Sequence, residues 1–483
     1  MIFSSAVFLF AFFPVCLAGY YLIPKSRLGV KNIFLLIMSL AFYAYGEPKF
    51  VFIMILSIFV NWAFGLAVDY FRGKAVAKAC LIGMGAWNVG IFFIYKYLDF
   101  TIINIDRFFG LRFELQGFVL PIGISFFTFQ AISYGIDVYR GTAAVQKNPL
   151  NTALYISFFP QLMAGPIVRY NAIAAQLTGR GGGFDLENFS YGVKRFVIGL
   201  SKKLILANTV AVVADRAFGA QAADPQAVLT AWLGVICYSF QIYFDFSGYS
   251  DMAIGLGRMF GFRFDENFNY PYISRTITEF WRRWHISLSS WFRDYVYIPL
   301  GGSRVPTGRL IFNLFATWML TGVWHGAGWN FIAWGFWYFV LLTFEKLLRI
   351  PERAAKTPWI GIPYRIFTIL CFLCGWVVFR APGLAEAMRY LKIMFGLPVN
   401  GRHFPVVSEL ALFYLKDNWV VLILCVLACT PILAVLTAGV RKGSVGLNKT
   451  WDVMGTAGLI ALIFICVSYI VNGSYNPFIY FNF

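Results

Sequence analysis

The feature that most constrains this 483-residue chain is its succession of apolar runs long enough to cross a lipid bilayer. Hydrophobic residues make up 59% of the sequence and charged residues 13%. Soluble domains contain about 45–50% hydrophobic and about 25% charged residues. A bilayer-spanning helix needs about 20 mainly apolar residues. These features exclude an ordinary soluble enzyme, a disordered protein and a disulfide-stapled secreted fold. We predict an all-α, polytopic integral membrane protein.

The apolar pattern predicts about 11–13 transmembrane or re-entrant helices, with further helices lying in the membrane interface. No internal repeat or low-complexity linker divides the chain, so residues 1–483 are predicted to form a single membrane-embedded domain, with a C-terminal transmembrane helix within residues 450–483. The predicted apolar segments cover approximately residues 2–23, 32–46, 50–70, 79–98, 117–137, 150–168, 227–244, 309–324, 327–348, 363–379, 419–438 and 453–471.

The few charged residues are unevenly distributed. The net charge is +18, and residues 258–309 form the most polar part of the sequence. By the positive-inside rule this segment faces the cytoplasm, so the charge excess indicates membrane topology and not nucleic-acid binding. Basic and aliphatic residues alternate over 191–218, a pattern that predicts a helix lying in the interface. The arginines of the polar segment are Arg258, Arg263, Arg275, Arg282, Arg283, Arg293, Arg304 and Arg309.

His325 occupies the sharpest break in the apolar pattern, a Gly-rich sequence between two apolar segments. A helix from Arg309 to Trp324 reaches about 24 Å, less than the hydrocarbon core of about 30 Å. His325 is therefore expected inside the membrane or near its far boundary. Ionisable residues at that depth are costly and usually functional. The alternative is a packed histidine bonded to a backbone carbonyl.

His285 lies in an amphipathic segment that also carries Arg282, Arg283 and Arg293. The interspersed tryptophans favour headgroup depth, so a functional histidine and an interfacial anchor with an incidental histidine are both compatible with the pattern. The third histidine, His403, lies in a polar loop and is assigned no role.

Asp245 and Asp251 are carboxylates in apolar surroundings, where they need partners. Catalytic orientation and structural ion pairing are both open for this pair. The two lie six residues apart without a histidine, so we predict no metal site.

Three blocks of sequence resemble the membrane-bound O-acyltransferases. They are Trp324-His325-Gly326, residues 281–302 (WRRWHISLSSWFRDYVYIPLGG) and residues 241–257 (QIYFDFSGYSDMAIGLG). The resemblance extends to at least about residue 395 and is greatest to the bacterial branch that O-acetylates exported polysaccharides such as alginate or peptidoglycan. The continuation Pro299-Leu-Gly-Gly favours an acetylating member over a D-alanylating one.

The resemblance implies helices around a central tunnel and an acyl relay across the bacterial inner membrane. His325 corresponds to the family's near-invariant histidine and His285 to a second functional one, with Trp324 as an orienting candidate. The donor is expected to be acetyl-CoA, with no tightly bound cofactor, and its phosphates are expected to pair with cytoplasmic arginines. A periplasmic or extracellular esterase-like partner with a Ser-His-Asp triad is expected to complete transfer to the polysaccharide. The arginine candidates are Arg282, Arg283 and Arg293.

The C-terminal sequence 476–483 (NPFIYFNF) resembles a terminal F-I-Y-x-x-F motif of extracellular acylation systems. In those systems the tyrosine accepts the acyl group transiently, and here it corresponds to Tyr480. A phenol with a pKa of about 10 needs a base to become a nucleophile, and a neutral imidazole suits that task. An aromatic anchor at the membrane interface is the alternative for this tail.

Two other functional classes fit part of the sequence. A polysaccharide exporter would predict intramembrane charges along a path and repeated halves with paired broken helices, but the clearest break is a single one. A scaffold that recruits periplasmic enzymes leaves the polar break at His325 without a purpose. Within the acyltransferase reading, D-alanyl transfer to teichoic acid is the alternative to acetylation.

Overall fold

The computed structural model describes residues 1–163, 165–219, 227–473 and 475–477. Throughout these residues the regular structure is helical, apart from one isolated bridge between Val399 and Arg402. The predicted all-α fold is therefore confirmed.

The α-helices are, in chain order, α1 (Phe13–Leu22), α2 (Leu28–Gly46), α3 (Phe50–Tyr70), α4 (Ala75–Lys96), α5 (Leu98–Phe109), α6 (Ile124–Arg140), α7 (Pro149–Ser157), α8 (Phe159–Leu162), α9 (Tyr170–Gly179), α10 (Leu186–Ser201), α11 (Asn208–Phe218), α12 (Val228–Met259), α13 (Ile277–Arg283), α14 (Ile286–Phe292), α15 (Thr307–His325), α16 (Trp329–Leu347), α17 (Ile350–Lys356), α18 (Pro358–Arg380), α19 (Leu384–Met394), α20 (Glu409–Ala428), α21 (Ile432–Val440) and α22 (Val445–Val471). Short π-helical stretches cover Phe8–Phe12, Lys202–Ala207 and Arg293–Tyr297, and Pro271–Ile273 forms a 3-10 turn.

Eight helical stretches in the described ranges are long and apolar enough to cross a membrane. A ninth is obtained if α16 and α17, which are bent by 61° relative to each other, count as one broken span. These helices confirm a polytopic membrane protein, and α22 corresponds to the predicted C-terminal span. The eight stretches are α2, α3, α4, the continuous Leu186–Phe218, α12, α18, α20 and α22.

This number is lower than that of the predicted apolar segments because several segments are shorter or more polar than a full span. The N-terminal segment forms a helix only over Phe8–Leu22. The segment predicted at 150–168 is broken between α7 and α8, where Phe158 has an extended backbone with ψ of 112°. α15 is long enough, but Arg309 and Asn313 lower its apolar character.

The prediction of an interfacial helix over 191–218 is corrected by the structure, since Leu186–Phe218 is one continuous and largely buried stretch of 33 residues. Ion pairs explain how two of its basic residues are accommodated. Arg195 lies 2.7 Å from Asp251 and also pairs with Glu266. The Nζ atom of Lys203 lies 2.8 Å from Asp245, and both side chains are almost fully buried.

The described residues form two compact units, and the single-domain assignment of 1–483 stays a prediction. The first unit comprises residues 1–196 and 249–266, and the second comprises 197–248 and the residues from 267 onward. In the first unit aromatic rings near the N-terminus pack together, such as Phe42 and Phe159 with centroids 5.5 Å apart. The second unit contains a core rich in tryptophan and tyrosine, which holds both buried histidine segments.

Candidate active site

His285 lies between two short helices, α13 and α14, in the second unit. Its φ angle of 43° is left-handed, an uncommon conformation for a residue other than glycine, and it turns the chain from one helix into the next. Its side chain is buried, with 1% exposure. The phenyl ring of Phe246, on α12, meets the imidazole edge-on at a centroid distance of 4.5 Å.

Asn267 fixes the orientation and tautomer of the His285 ring. The Oδ1 atom of Asn267 accepts hydrogen bonds from the backbone N–H of Ser287 (3.2 Å) and from its hydroxyl (2.9 Å). Because a backbone N–H can only donate, this atom is an acceptor, and His285 Nδ1, at 3.1 Å, must be the N–H that donates to it. The proton of the neutral ring therefore resides on Nδ1, and Nε2 carries a lone pair.

The Nε2 atom of His285 is buried and has no hydrogen-bond partner in the described part of the chain. Burial lowers the pKa of His285 well below its usual 6.5, and a positive charge on His325 would lower it further. The ring is therefore neutral near pH 7. A buried, neutral imidazole with an unused lone pair is a hydrogen-bond acceptor or a proton acceptor.

His325 is the last residue of α15, and Gly326-Ala327-Gly328, in which both glycines are extended, connects it to α16. Its imidazole lies among aromatic rings, edge-on to Trp334 at 5.0 Å and to Phe379 at 5.1 Å. Asn330, at the start of α16, donates a hydrogen bond of 3.1 Å to the carbonyl of Ala381, just beyond α18. The break between α15 and α16 is thus attached to the end of α18.

Two glycines allow α15 and α16 to approach closely. A Cβ atom at Gly322 would lie 2.5 Å from the carbonyl oxygen of Phe331 and 3.2 Å from the Cα of Gly335. A Cβ atom at Gly335 would lie 2.6 Å from the carbonyl oxygen of Trp318. Only a residue without a side chain fits at these crossings, and the close contact fixes the position of the helix end that carries His325.

The indole of Trp324 lies beside both histidines. Its centroid is 4.8 Å from the ring of His325 and 6.4 Å from the ring of His285. Three of the residues predicted from the sequence therefore come together in the core of the second unit. They are His285, Trp324 and His325, and they lie at most 40 positions apart in sequence.

The structure gives both predicted aspartates ion-pair partners on the stretch Leu186–Phe218. Asp245 pairs with Lys203, and Asp251 pairs with Arg195. Each pair joins that stretch to α12. Of the two alternatives for these carboxylates, the geometry supports structural ion pairing.

The three arginine candidates are not brought together. Arg282 and Arg283 line a cavity of about 360 Å³, together with Arg275 and Arg365, whereas Arg293 is not among its lining residues. Arg293 forms a bidentate pair with the neighbouring Asp294, at 2.7 and 3.1 Å. We call this cavity the arginine cavity, since four guanidinium groups face a single carboxylate there, that of Glu279.

The model of the MBOAT family, the membrane-bound O-acyltransferases, matches residues 142–385, half of the chain. This range contains both histidines, Trp324 and the arginine cavity. The chain belongs to this family.

Similarity to individual members extends over the whole O-acyltransferase. This chain is 41% identical to the probable alginate O-acetylase AlgI of Pseudomonas putida over 510 aligned residues, and the alignment covers 100% of both chains. A peptidoglycan O-acetyltransferase of Helicobacter pylori is 34% identical over 100% of this chain and 98% of its own. A teichoic acid D-alanyltransferase of Bacillus subtilis is 28% identical over 75% of this chain and 95% of its own. The protein is a membrane enzyme. Its membership of the O-acyltransferase family takes the place of the two alternative functions, a polysaccharide exporter and a scaffold.

Glu345 is a residue of this O-acyltransferase that the sequence reasoning missed. It is fully buried near the end of α16, and its carboxylate caps the start of α13. It accepts hydrogen bonds from the backbone N–H of Ile277 (2.6 Å) and from the N–H (2.7 Å) and hydroxyl (2.6 Å) of Thr278. The helix that follows His325 is thereby tied to the helix that precedes His285. A carboxylate inside an apolar span was the available signal.

Tyr480 lies outside the described residues, so its predicted role stays a prediction. The last described residues of the O-acyltransferase contact Leu186–Phe218. The Tyr475 hydroxyl donates to Asp215 at 2.6 Å, and Asn208 donates to Asn476 at 3.2 Å. The Lys203 ammonium also donates to the carbonyl of Pro477.

Proposed function

We propose that this O-acyltransferase takes acetyl from cytoplasmic acetyl-CoA and passes it across the bacterial inner membrane for O-acetylation of an exported polysaccharide. The observation that carries the proposal is the convergence of His285 and His325 on Trp324, within the range that matches the family. The names of the two full-length relatives, which refer to alginate and peptidoglycan acetylation, support both the acetyl group and an alginate-like or peptidoglycan acceptor.

The arginine cavity supports an anionic acyl donor. Arg282 and Arg283 lie two to three residues before His285 in sequence, so the proposed donor site adjoins the segment that carries that histidine. Planar guanidinium groups match the oxygens of phosphate, and CoA carries several phosphate oxygens. The cavity belongs to the Arg-rich segment that the positive-inside rule places in the cytoplasm, where acetyl-CoA is made.

The two histidines receive different roles in the proposal. His325 takes the proton of the attacking hydroxyl while the hydroxyl oxygen bonds to the acetyl carbon. The carbon–sulfur bond then breaks, and the protonated His325 gives its proton to the departing sulfur, so that CoA leaves as the thiol. His285 Nε2 has a lone pair and no proton, so it accepts a hydrogen bond from an N–H or O–H of the donor. It positions the thioester and does not donate to the thioester's carbonyl oxygen.

On the outer side of the membrane, the hydroxyl of Tyr480 is the first acceptor of the acetyl group. The phenyl acetate ester formed there then passes its acetyl group to the polysaccharide through an esterase-like partner with a Ser-His-Asp triad. D-alanyl transfer is the weaker alternative, since the D-alanylating relative matches a smaller part of the chain at lower identity.

The test is turnover of acetyl-CoA by the full chain reconstituted in liposomes, followed as release of free CoA thiol. We expect His325→Ala to lower the rate by about 100-fold or more, because a positioned general base contributes about that much. His403→Ala is the matched control, since it removes an exposed loop imidazole. Unchanged turnover in a correctly folded His325→Ala variant would overturn the assignment.

Tyr480→Phe tests the outward relay separately. The change retains the aromatic ring that an interfacial anchor needs and removes the nucleophilic hydroxyl. We expect loss of labelled acetyl on the protein and on added polysaccharide. Full polysaccharide acetylation by this variant would leave the tail with the anchoring role alone.

A further inference from the structure

A second cavity of the second unit, of about 280 Å³, is lined by one side of α11, the first turns of α20, the end of α22 and Tyr475. We call it the outer pocket. α20 and α22 lie beyond residue 385, where the family match ends. The polar and aromatic residues of its lining include Asn208, Arg216, Tyr414, Asp417, Asn418 and Tyr475.

The outer pocket and the arginine cavity lie toward different ends of α18. Arg365, in the first third of that helix, lines the arginine cavity. Arg380, at its other end, pairs at 2.8 Å with Asp215, the neighbour of the pocket residue Arg216. Residues 365 and 380 are about 22 Å apart along the helix axis. A cytoplasmic arginine cavity therefore places the outer pocket toward the opposite face of the membrane.

The pocket offers polar groups that the protein itself does not use. Arg216 and Asp417 form no ion pair with any residue in the described ranges. Asn208 is 4% exposed, and its Oδ1 atom is buried without a hydrogen-bond partner among those residues. Asn418 uses its amide N–H to bond the carbonyl of Tyr414 at 3.0 Å, which leaves its Oδ1 atom as an acceptor.

The aromatic residues of the pocket supply flat surfaces. The Tyr475 hydroxyl is held by Asp215 at 2.6 Å, and Tyr414 is 4% exposed, so both rings are fixed in place. Aromatic surfaces combined with a few convergent polar groups are typical of small-molecule sites, and the volume lies at the lower end of their range of about 300–1,000 Å³. This suits one ring-shaped, hydroxyl-rich ligand.

We propose that the outer pocket binds one pyranose unit of the acceptor polysaccharide, with Arg216 on a ring carboxylate and Asp417 and Asn418 on ring hydroxyls. The inference rests on the proposed function and extends it, because it places an acceptor site on the membrane enzyme itself. Acid groups of uronate and muramate suit the guanidinium of Arg216. A phosphodiester group carries no O–H for the Asp417 carboxylate to accept, so a sugar with ring hydroxyls is favoured over a lipid phosphate.

The test measures direct binding to the full chain in lipid nanodiscs, without acetyl-CoA. The probes are hexameric mannuronate, the disaccharide of N-acetylglucosamine and N-acetylmuramic acid, and neutral cellohexaose. We expect at least one of the two acidic probes to bind and cellohexaose to bind more weakly. Arg216→Gln and Asp417→Asn should each raise the Kd of the acidic probe about tenfold, as expected for loss of a charge-assisted hydrogen bond. Arg216→Gln should leave the Kd of cellohexaose unchanged.

Lys416→Gln is the matched control, since it removes the charge next to Asp417 at an exposed residue outside the lining. Absence of binding by all three probes overturns the inference, as does an unchanged Kd in both pocket variants. Competition by anionic lipid vesicles that removes probe binding also overturns it, in favour of a lipid site. Failure of the proposed function is distinguishable, because it appears as absent acetyl-CoA turnover in the unaltered protein.

Discussion

The segments around His285 and His325 hold the same kind of side chain by different means. His285 is buried, and a hydrogen bond from Nδ1 to Asn267 sets its tautomer. His325 is partly exposed at the end of α15 and lies edge-on to Trp334 and Phe379. A ring fixed by an acceptor keeps one protonation pattern, whereas a ring among aromatic faces at a helix C-terminus is also compatible with the charged form. The difference favours a positioning role for His285 and proton transfer by His325.

The largest effect is expected from removing the group that makes His285 different. Asn267→Ala deletes the nearer acceptor of Nδ1–H, at 3.1 Å, and leaves only the more distant Ser287 hydroxyl, at 3.4 Å, among the described residues, so the ring is freed to place its proton on Nε2. We expect acetyl-CoA turnover to fall by about 100-fold, since the ring loses its fixed orientation and much of the population also loses the lone pair at Nε2. Steady-state kinetics with the liposome-reconstituted protein measure this loss.

Asn267→Asp is the companion variant and tests the cause. Its carboxylate also accepts from Nδ1–H but adds a negative charge, which favours the protonated imidazole and raises the pKa of His285 above its lowered value. The acid limb that titration of His285 gives to the rate profile should therefore move to higher pH than in the unaltered protein. A pH profile that coincides with that of the unaltered protein contradicts a working role for this ring.

Sequence patterns predicted the fold class because apolar runs report directly on the surroundings of a helix. They misplaced the stretch Leu186–Phe218, since two of its basic residues, Arg195 and Lys203, are neutralised by carboxylates that lie 42 to 71 positions away in sequence. A single sequence contains no information on such pairings. The residue pattern alone accordingly treated those basic residues as interfacial.

The site was predicted in part, for a related reason. His325 was found because a polar break inside an apolar run is conspicuous, and His285 because of its amphipathic neighbourhood and a family resemblance. Asn267 gave no pattern signal, because a single amide in a polar loop is unremarkable. Arg293 was grouped with Arg282 and Arg283 by proximity in sequence, whereas at the start of the π-helical stretch after α14 it pairs with Asp294 and does not line the arginine cavity.

An intermediate effect is expected at Glu345, which connects the two histidine segments. Glu345→Ala leaves two backbone N–H groups and one hydroxyl at the start of α13 without their acceptor. Unsatisfied buried donors cost about 1–3 kcal/mol each, and partial solvation of the helix start reduces the sum to about 3 kcal/mol. We expect a lower melting temperature in detergent and a turnover reduced about tenfold.

Glu352→Ala serves as the control for this prediction, since it removes an exposed carboxylate from the neighbouring helix α17. Glu345→Gln should be intermediate in melting temperature, because the amide retains one oxygen acceptor. If Glu345→Ala has the same melting temperature as Glu352→Ala, the carboxylate of Glu345 does not hold α13 in place. A melting temperature that falls without any change in turnover would limit Glu345 to stability.

The smallest effect concerns donor binding. It distinguishes Arg282, which lines the arginine cavity, from Arg293, which does not. Arg282→Gln removes an exposed charge from the arginine cavity, whereas Arg293→Gln removes one that is already paired with Asp294. A solvated charge contact with a phosphate contributes about 1 kcal/mol, so we expect KM for acetyl-CoA to rise about fivefold in Arg282→Gln at constant kcat. Arg293→Gln should change KM by less than about twofold. High salt should narrow the gap, because screening weakens exposed contacts first. Equal KM values for the two variants would show that the donor does not bind in the arginine cavity.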